Sequence, residues 1–318
     1  MKRVLLATTA LGLSAGMAMA DVTVSGDGRM GVVSDANDDL RFDSRIRVSF
    51  GLSAELDSGL TAGGSIRADN AGGGSSGTGG NVYLAGPFGK LSMGDVDSGA
   101  KAAIGQVSGV GYRNLNDPNE ITYLRNTGDE DPTLQYMLPK LGPVQVYASL
   151  GMAAVVEEGE VQAGRKEISA DALSIGAKAD LSIADMGSAW IGGGFEATTA
   201  EDEDGHLVLG AGVSASGFSG TIVAGMQGRD SVENADGDTV DRDRDQFAVS
   251  AGYSAGQMGV TVFYADDTEF EGAEAIGAGF SWNLGGGASL KAGFTNWPGQ
   301  EEGDEDAQTA DLGVTFAF

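Results

Sequence analysis

Four arginines in the first quarter of the chain share a spacing that could carry an electrostatic function. Arg29, Arg45, Arg47 and Arg67 all stand at odd positions, in stretches where apolar residues favour even positions. In an extended strand successive side chains point to opposite faces, so the four guanidinium groups would share one face of neighbouring strands. Cations on one surface repel one another unless acids oppose them. The spacing therefore predicts a strong local electric field at this surface.

Acids that could oppose these cations lie in an unusually long connection between two predicted strands. The connection has about 35 residues, and a loop of that length in a compact domain is usually functional. We expect Asp97, Asp117 and Glu120 in this connection to face the arginines across a water-filled space, where the resulting field would order water and disfavour apolar solutes. The sequence leaves open an alternative, in which the arginines pair with local acids such as Asp27 and Asp43.

The elements that would position these charges are β-strands. In residues 40–53 the even positions are mostly large and apolar, while the odd positions are polar or small. A period of two is typical of a strand with one apolar and one polar face, and a helical stripe does not fit it. The same pattern recurs along the chain and predicts sixteen strands, at residues 22–33, 40–55, 60–70, 80–86, 89–96, 132–138, 143–152, 167–179, 187–198, 205–215, 217–228, 243–255, 257–267, 272–284, 287–296 and 306–318.

Short turns alternate with long acidic or glycine-rich loops between these strands. An even number of strands, with short turns at one rim and long loops at the other, is typical of barrels in outer membranes. No long apolar run follows residue 20, so a membrane-spanning form of this chain has to be a closed barrel, which satisfies its own backbone in lipid. We therefore predict an all-β fold: a 16-stranded antiparallel transmembrane barrel in a single domain, residues 21–318, with its long third loop folded into the lumen.

The two ends of the chain add to this interpretation. Residues 1–20 combine two basic residues, a short apolar stretch and the sequence Ala18-Met19-Ala20, which is typical of a cleaved secretory signal; an N-terminal membrane anchor is the alternative. At the other end, residues 312–318 alternate and finish on Phe318. We expect this last strand to pair with the first and close the sheet, with Leu312 facing lipid and Asp311 facing water.

Composition excludes several classes of function. The net charge is −27, and it becomes −29 once residues 1–20 are removed, so binding to nucleic acid is not expected. The absence of cysteine excludes disulfides, thiolate metal sites and thiol catalysis. Catalysis by a Ser-His-Asp device would depend on His206, the single histidine, which follows an acidic run. Residues 72–77 match a phosphate-binding glycine pattern, but no helix pattern follows them. We predict neither an enzyme nor a cofactor.

Acidic runs in the predicted outer loops have two interpretations. These acidic runs are residues 201–204, 234–238 and 301–306. The simpler interpretation is a solvated rim that repels anions and enriches cations, which predicts a mild cation preference. The alternative is weak binding of Ca²⁺ between carboxylates, for which residues 234–238 lack the spacing of a calcium loop.

Two patches of sequence resemble the general diffusion porins of Gram-negative bacteria, particularly the alphaproteobacterial, Rhodobacter-like type. Residues 82–95 resemble the strand–turn–strand that precedes the third loop of that family, and residues 133–149 resemble its next hairpin. The terminal Phe318 matches as well. The resemblance implies a homotrimer in the outer membrane, in contact with its lipid, that passes small hydrophilic solutes. It also implies an arginine cluster opposite acids of the third loop. An acidic, secreted all-β surface or adhesion protein is the alternative.

Overall fold

The computed structural model describes the greater part of the chain. The described residues are 20–34, 40–69, 76–77, 79–116, 118–120, 132–157, 160–183, 186–197, 203–229, 232–233, 239–240, 244–267, 274–297 and 307–318. Residues 1–19 of the predicted signal segment, residues 1–20, and Asp117 lie outside them. The assignment of residues 21–318 to a single barrel domain stays a prediction.

Sixteen strands form one ring. We number them in chain order: β1 Ala20–Ser34, β2 Leu40–Glu55, β3 Thr61–Asp69, β4 Asn81–Gly86, β5 Gly89–Gly94, β6 Thr133–Met137, β7 Val144–Glu157, β8 Glu160–Ile183, β9 Gly187–Glu196, β10 Glu203–Ala215, β11 Phe218–Arg229, β12 Arg244–Ala255, β13 Met258–Asp267, β14 Ala275–Gly285, β15 Ala288–Trp297 and β16 Ala307–Ala317. The helix α1 spans Gly99–Ile104, and a short 3₁₀ turn spans Asn114–Asn116.

Each strand pairs antiparallel with its neighbours in sequence, and β16 pairs with β1 to close the ring. The closing register sets Gly31 opposite Gly313 and Val33 opposite Asp311. Two residues, Ser76–Gly77, extend the edge of β3 beyond β4, and a small separate hairpin joins Val232–Glu233 to Thr239–Val240. The predicted closure between the first and last strands is therefore confirmed.

Strand number and order agree with the sequence prediction, and most bounds differ by a few residues. The largest difference is at β7 and β8, which extend to Glu157 and from Glu160, well beyond the predicted limits at residues 152 and 167. Their outer halves pair with two register shifts. The polar, acidic sequence there lacks the alternation that marks the other strands, so the pattern predicted a loop.

The two faces of the sheet differ in the way the alternation predicts. Large apolar side chains on one face are exposed, such as Phe42 at 93% and Leu312 at 49%. Charged and small residues lie on the opposite face, which we call the polar face. The buried apolar residues of the described chain cluster where residues 98–116 pack on this face. None of the described helices is long and apolar enough to cross a membrane.

Candidate functional site

The long connection after β5 begins with a capped helix. Ser98 accepts a hydrogen bond from the backbone N–H of Lys101 at 3.2 Å, which is the usual role of a serine at a helix N-cap. Gly105 ends the helix with a φ of 68°, a backbone conformation that favours glycine. Farther along, the Asn119 amide donates to the Val107 carbonyl at 2.7 Å and ties the segment to itself. The described residues 97–116 and 118–120, which we call the docked loop, are thus locally ordered.

The helical half of the docked loop is fixed to β7 and β8 by two serines. The backbone N–H of Gly99 donates to Ser149 Oγ at 2.9 Å, and that of Ala100 donates to Ser174 Oγ at 2.8 Å. Both amides belong to the first turn of α1, where no intrahelical acceptor exists. The wall hydroxyls therefore satisfy donors that the helix itself leaves open, and Ala100 is fully buried.

The second half of the docked loop ends at the seam between β16 and β1. Ser108 donates its backbone N–H to Ser250 Oγ on β12 at 3.0 Å. The backbone N–H groups of Tyr112 and Arg113 both donate to Asp311 Oδ2, at 3.0 and 3.1 Å. Hydrogen bonds to a carboxylate are stronger than neutral ones, so Asp311 is the firmest anchor of this half.

Tyr112 fills the space at the seam. Its ring lies so close to Gly31 and Gly313 that a Cβ on either glycine would come within 3.0 Å of it. Burial, together with the nearby Asp43 and Asp311 carboxylates, raises the pKa of Tyr112 to about 12. The phenol therefore stays protonated at every physiological pH.

Glycines on the polar face mark the path of the docked loop. At each of them an added Cβ would come within 3.0 Å of a loop atom, which side chains do not tolerate without a shift. Because these glycines carry no side chain, the loop backbone can lie directly on the sheet. We call this set the glycine track, and its members are Gly31, Gly176, Gly192, Gly194, Gly210, Gly279, Gly293 and Gly313.

The four predicted arginines lie together on the polar face of β1, β2 and β3. Arg29 pairs with Asp43 at 3.1 Å, and Arg45 pairs with Asp27 at 3.2 Å. Arg47 and Arg67 share Asp69, at 2.9 and 2.8 Å. Each arginine thus has a carboxylate of the wall as its partner, in agreement with the alternative that the sequence left open.

The loop acids are arranged differently from the arginines. Asp97 pairs with Lys101 of the same loop at 3.1 Å, and none of the ion pairs of the described residues joins it to the arginines. Glu120 is half-buried, and Asp117 lies outside the described residues. The role of Asp97, Asp117 and Glu120 as counter-charges of the arginines remains a prediction.

Sequence reasoning missed three charged residues of this site. Asp69 follows Arg67 by two residues, so strand alternation alone places both on one face and could have found it. Arg113 approaches Asp43 at 3.6 Å, and Asp311 anchors the loop, but both contacts join segments that are far apart in sequence. Asp311 was expected only to face water.

The site holds charges and hydroxyls in fixed positions but shows no grouping suited to metal binding. In the part of the chain that the structure covers, no three His, Cys, Asp or Glu side chains are grouped to hold a metal ion. The acidic runs proposed for Ca²⁺ lie almost entirely outside that part. The arrangement can attract, repel and orient solutes by its charge.

Known proteins match most of the chain. A family model described as Gram-negative porin matches residues 7–158 and 156–318. A porin of Rhodobacter capsulatus is 31% identical over 319 residues, covering 94% of this chain and 100% of the relative. A porin structure refined at 1.8 Å resolution superposes with a TM-score of 0.69 at 28% identity, over 94% of this chain and 100% of that chain. A Rh. blastica porin mutant shares the fold, with a TM-score of 0.66 at 19% identity over the same shares. The chain thus belongs to the Gram-negative porins, which are passive outer-membrane channels and not enzymes.

Proposed function

We propose that the docked loop narrows the water-filled lumen of this outer-membrane porin, and that small hydrophilic solutes and ions diffuse through the remaining opening. The supporting observation is that the loop contacts the polar face at widely separated strands, from Ser149 on β7 to Asp43 on β2. The sheet is a closed ring, so a single segment that reaches both strands has to run either inside the ring or around its outside.

The length of the loop favours a path through the lumen. From Gly99 to Arg113 the six residues of α1 rise 1.5 Å each and the rest at most ~3.4 Å, so the segment spans about 36 Å. The loop also contacts β12 and β16, and in that direction along the wall eleven interstrand spacings of ~4.8 Å, or about 53 Å, separate β7 from β2. A path outside the ring would be longer still. A chord across the interior is short enough.

The charges favour a mild cation preference. The four arginines pair with three aspartates of the wall, so most of the positive charge of the row is compensated. The chain as a whole carries 46 acidic and 19 basic residues. An excess of acids near the mouth raises the local concentration of cations.

Reversal potentials in a salt gradient across a planar bilayer test this preference. We expect a modest potential of the sign given by a cation-selective pore, and it should shrink as ionic strength rises because screening weakens the field. A clear anion preference would contradict the proposal.

The secreted surface protein considered as an alternative is not favoured, since the family and fold are those of porins. We further propose a homotrimer in contact with outer-membrane lipid, as the family resemblance implies. An oligomer that survives mild detergent and dissociates on boiling is the expected observation. Recovery of a soluble monomer without detergent would contradict both the trimer and the membrane location.

A further inference from the structure

A polar groove crosses the polar face of β1 to β5, close to the short turns. Its volume is about 320 Å³, and it lies at Thr23, Gly51, Leu52, Ser53, Gly64, Ser65, Asn81, Tyr83 and Lys90. The lining offers hydroxyl, amide, phenol and ammonium groups, and the glycines leave the space above the backbone open. The groove lies on the same wall as the arginines, next to Arg67, and toward the rim of short turns.

Lys90 and Tyr83 form the ordered end of this groove. The Lys90 ammonium lies 4.3 Å from the centroid of the Tyr83 ring, within the range of a cation–π contact. The Tyr83 ring in turn lies against Gly63, where a Cβ would come within 3.0 Å of its phenol end. The ring therefore rests on bare backbone and holds the ammonium in place at the polar face.

Lys90 differs from the arginines of the same wall in its ion-pair partners. Among the ion pairs of the described residues, each of the four arginines has a carboxylate partner, while Lys90 has none. An aromatic face offsets only a fraction of the charge of an ammonium. Lys90 thus presents a positive charge that an incoming anion can pair with, without first displacing an internal carboxylate.

Hydroxyl and amide groups continue from Lys90 along the groove. The Asn81 amide donates to Ser65 Oγ at 3.0 Å, and both residues line the groove together with Lys90. Asp21 and Glu55 carry carboxylates and line a neighbouring cavity that shares Ser53. They lie about three to four spacings from Lys90, roughly 14–19 Å, a distance at which salt screens most of their repulsion.

We infer that this groove is a weak subsite for small polyhydroxylated anions, such as sugar acids. The inference rests on the proposed diffusion function and adds a solute class to it. The carboxylate of the solute pairs with Lys90, and its hydroxyls exchange hydrogen bonds with Asn81 and Ser65. Such a subsite retains the solute briefly on the wall below the arginines.

Gluconate is a suitable probe, because it is a six-carbon monoanion with five hydroxyls. Single-channel current is recorded in constant potassium while chloride is replaced stepwise by gluconate, and in parallel by methanesulfonate, which has the charge without the hydroxyls. We expect the gluconate effect to saturate, and the methanesulfonate effect to stay proportional to concentration. Neutral sorbitol, at the same concentrations, should change the current only through viscosity.

Variants then locate the subsite. Lys90→Met should raise the half-saturating gluconate concentration about tenfold, since it removes a charge-assisted hydrogen bond, and Ser65→Ala about threefold. Lys140→Met is the matched control, because Lys140 is an exposed lysine at the same rim that is paired with Asp180 at 3.2 Å. It should leave the gluconate response unchanged.

The outcomes separate this inference from the diffusion function itself. Normal channel steps in potassium chloride, with a gluconate effect that never saturates, would overturn the subsite and leave the pore intact. An unchanged gluconate response in both Lys90→Met and Ser65→Ala would overturn it as well. Absence of channel steps in any salt would contradict the proposed pore.

Discussion

Replacing one glycine of the glycine track tests whether the docked loop needs strand positions without side chains in order to pack on the polar face. Gly194 on β9 is buried beneath α1, and a Cβ added there would lie 2.5 Å from Ala100 Cβ and 2.8 Å from Ala100 Cα. Ordinary contacts begin near 3.4 Å. Valine at this position suits a strand, so Gly194→Val leaves the sheet itself intact while it pushes the helix off by about 1 Å.

The cost can be estimated from the contacts that are lost. Overpacking of this kind typically costs about 1–3 kcal/mol. The hydrogen bond from Ala100 N–H to Ser174 Oγ, 2.8 Å in the docked state, would stretch or break, at a further cost of about 1 kcal/mol. Together, about 2–4 kcal/mol shifts the equilibrium between docked and undocked loop by roughly 30-fold to several hundredfold.

Gly193→Val is the matched control. Gly193 is the neighbouring residue on the same strand but faces the apolar side, where the closest atom to an added Cβ is the side chain of Leu209 at 3.1 Å. A leucine exposed to lipid can move by a few tenths of an ångström. The two variants thus change the same strand by the same side chain on opposite faces.

Two assays follow the loop. Lys101 lies within α1 and is protected while the helix is docked, so trypsin should cut there in Gly194→Val and spare both the wild type and Gly193→Val. In planar bilayers Gly194→Val should show lower and noisier single-channel conductance, because a displaced helix moves into the opening. If Gly194→Val resists trypsin and conducts like Gly193→Val, the glycine track does not position the loop.

Three further perturbations address the anchors and charges. Asp311→Ala removes the acceptor of two loop amides, at about 1.5–3 kcal/mol each, so trypsin cleavage of the loop should rise strongly; unchanged cleavage would contradict the anchor role. The pKa of Tyr112 is raised to about 12 from 10.0, so its contribution to docking is complete below about pH 10 and is lost as pH rises toward 12. Single-channel current noise should therefore rise over that interval in the wild type and much less in Tyr112→Phe; equal profiles would refute this. Asp69→Asn leaves two arginines without their shared carboxylate, so reversal potentials should move toward anions, whereas Asp180→Asn, at an exposed pair, should not move them.

Much of the fold is encoded locally. The period of two in residues 40–53 indicates which side chains share a face, because strand geometry requires it whatever the partners are. Turn signals then fix the number of strands, and an even number returns the chain to its starting rim. The same local rule placed Arg45, Arg47 and Arg67 on the polar face, and applied to Asp69 it would also have found the shared partner of two of them.

The sequence alone therefore determined a closed antiparallel barrel with an arginine-rich polar face, because alternation and turns act between neighbouring residues. Only the tertiary structure decided how the long loop docks. Asp311 and Tyr112 are 199 residues apart in the chain, and Gly31 and Gly313 become neighbours only when the ring closes. The register of the whole sheet brings the glycines of the track together from strands that are distant in sequence. No local sequence pattern contains this register.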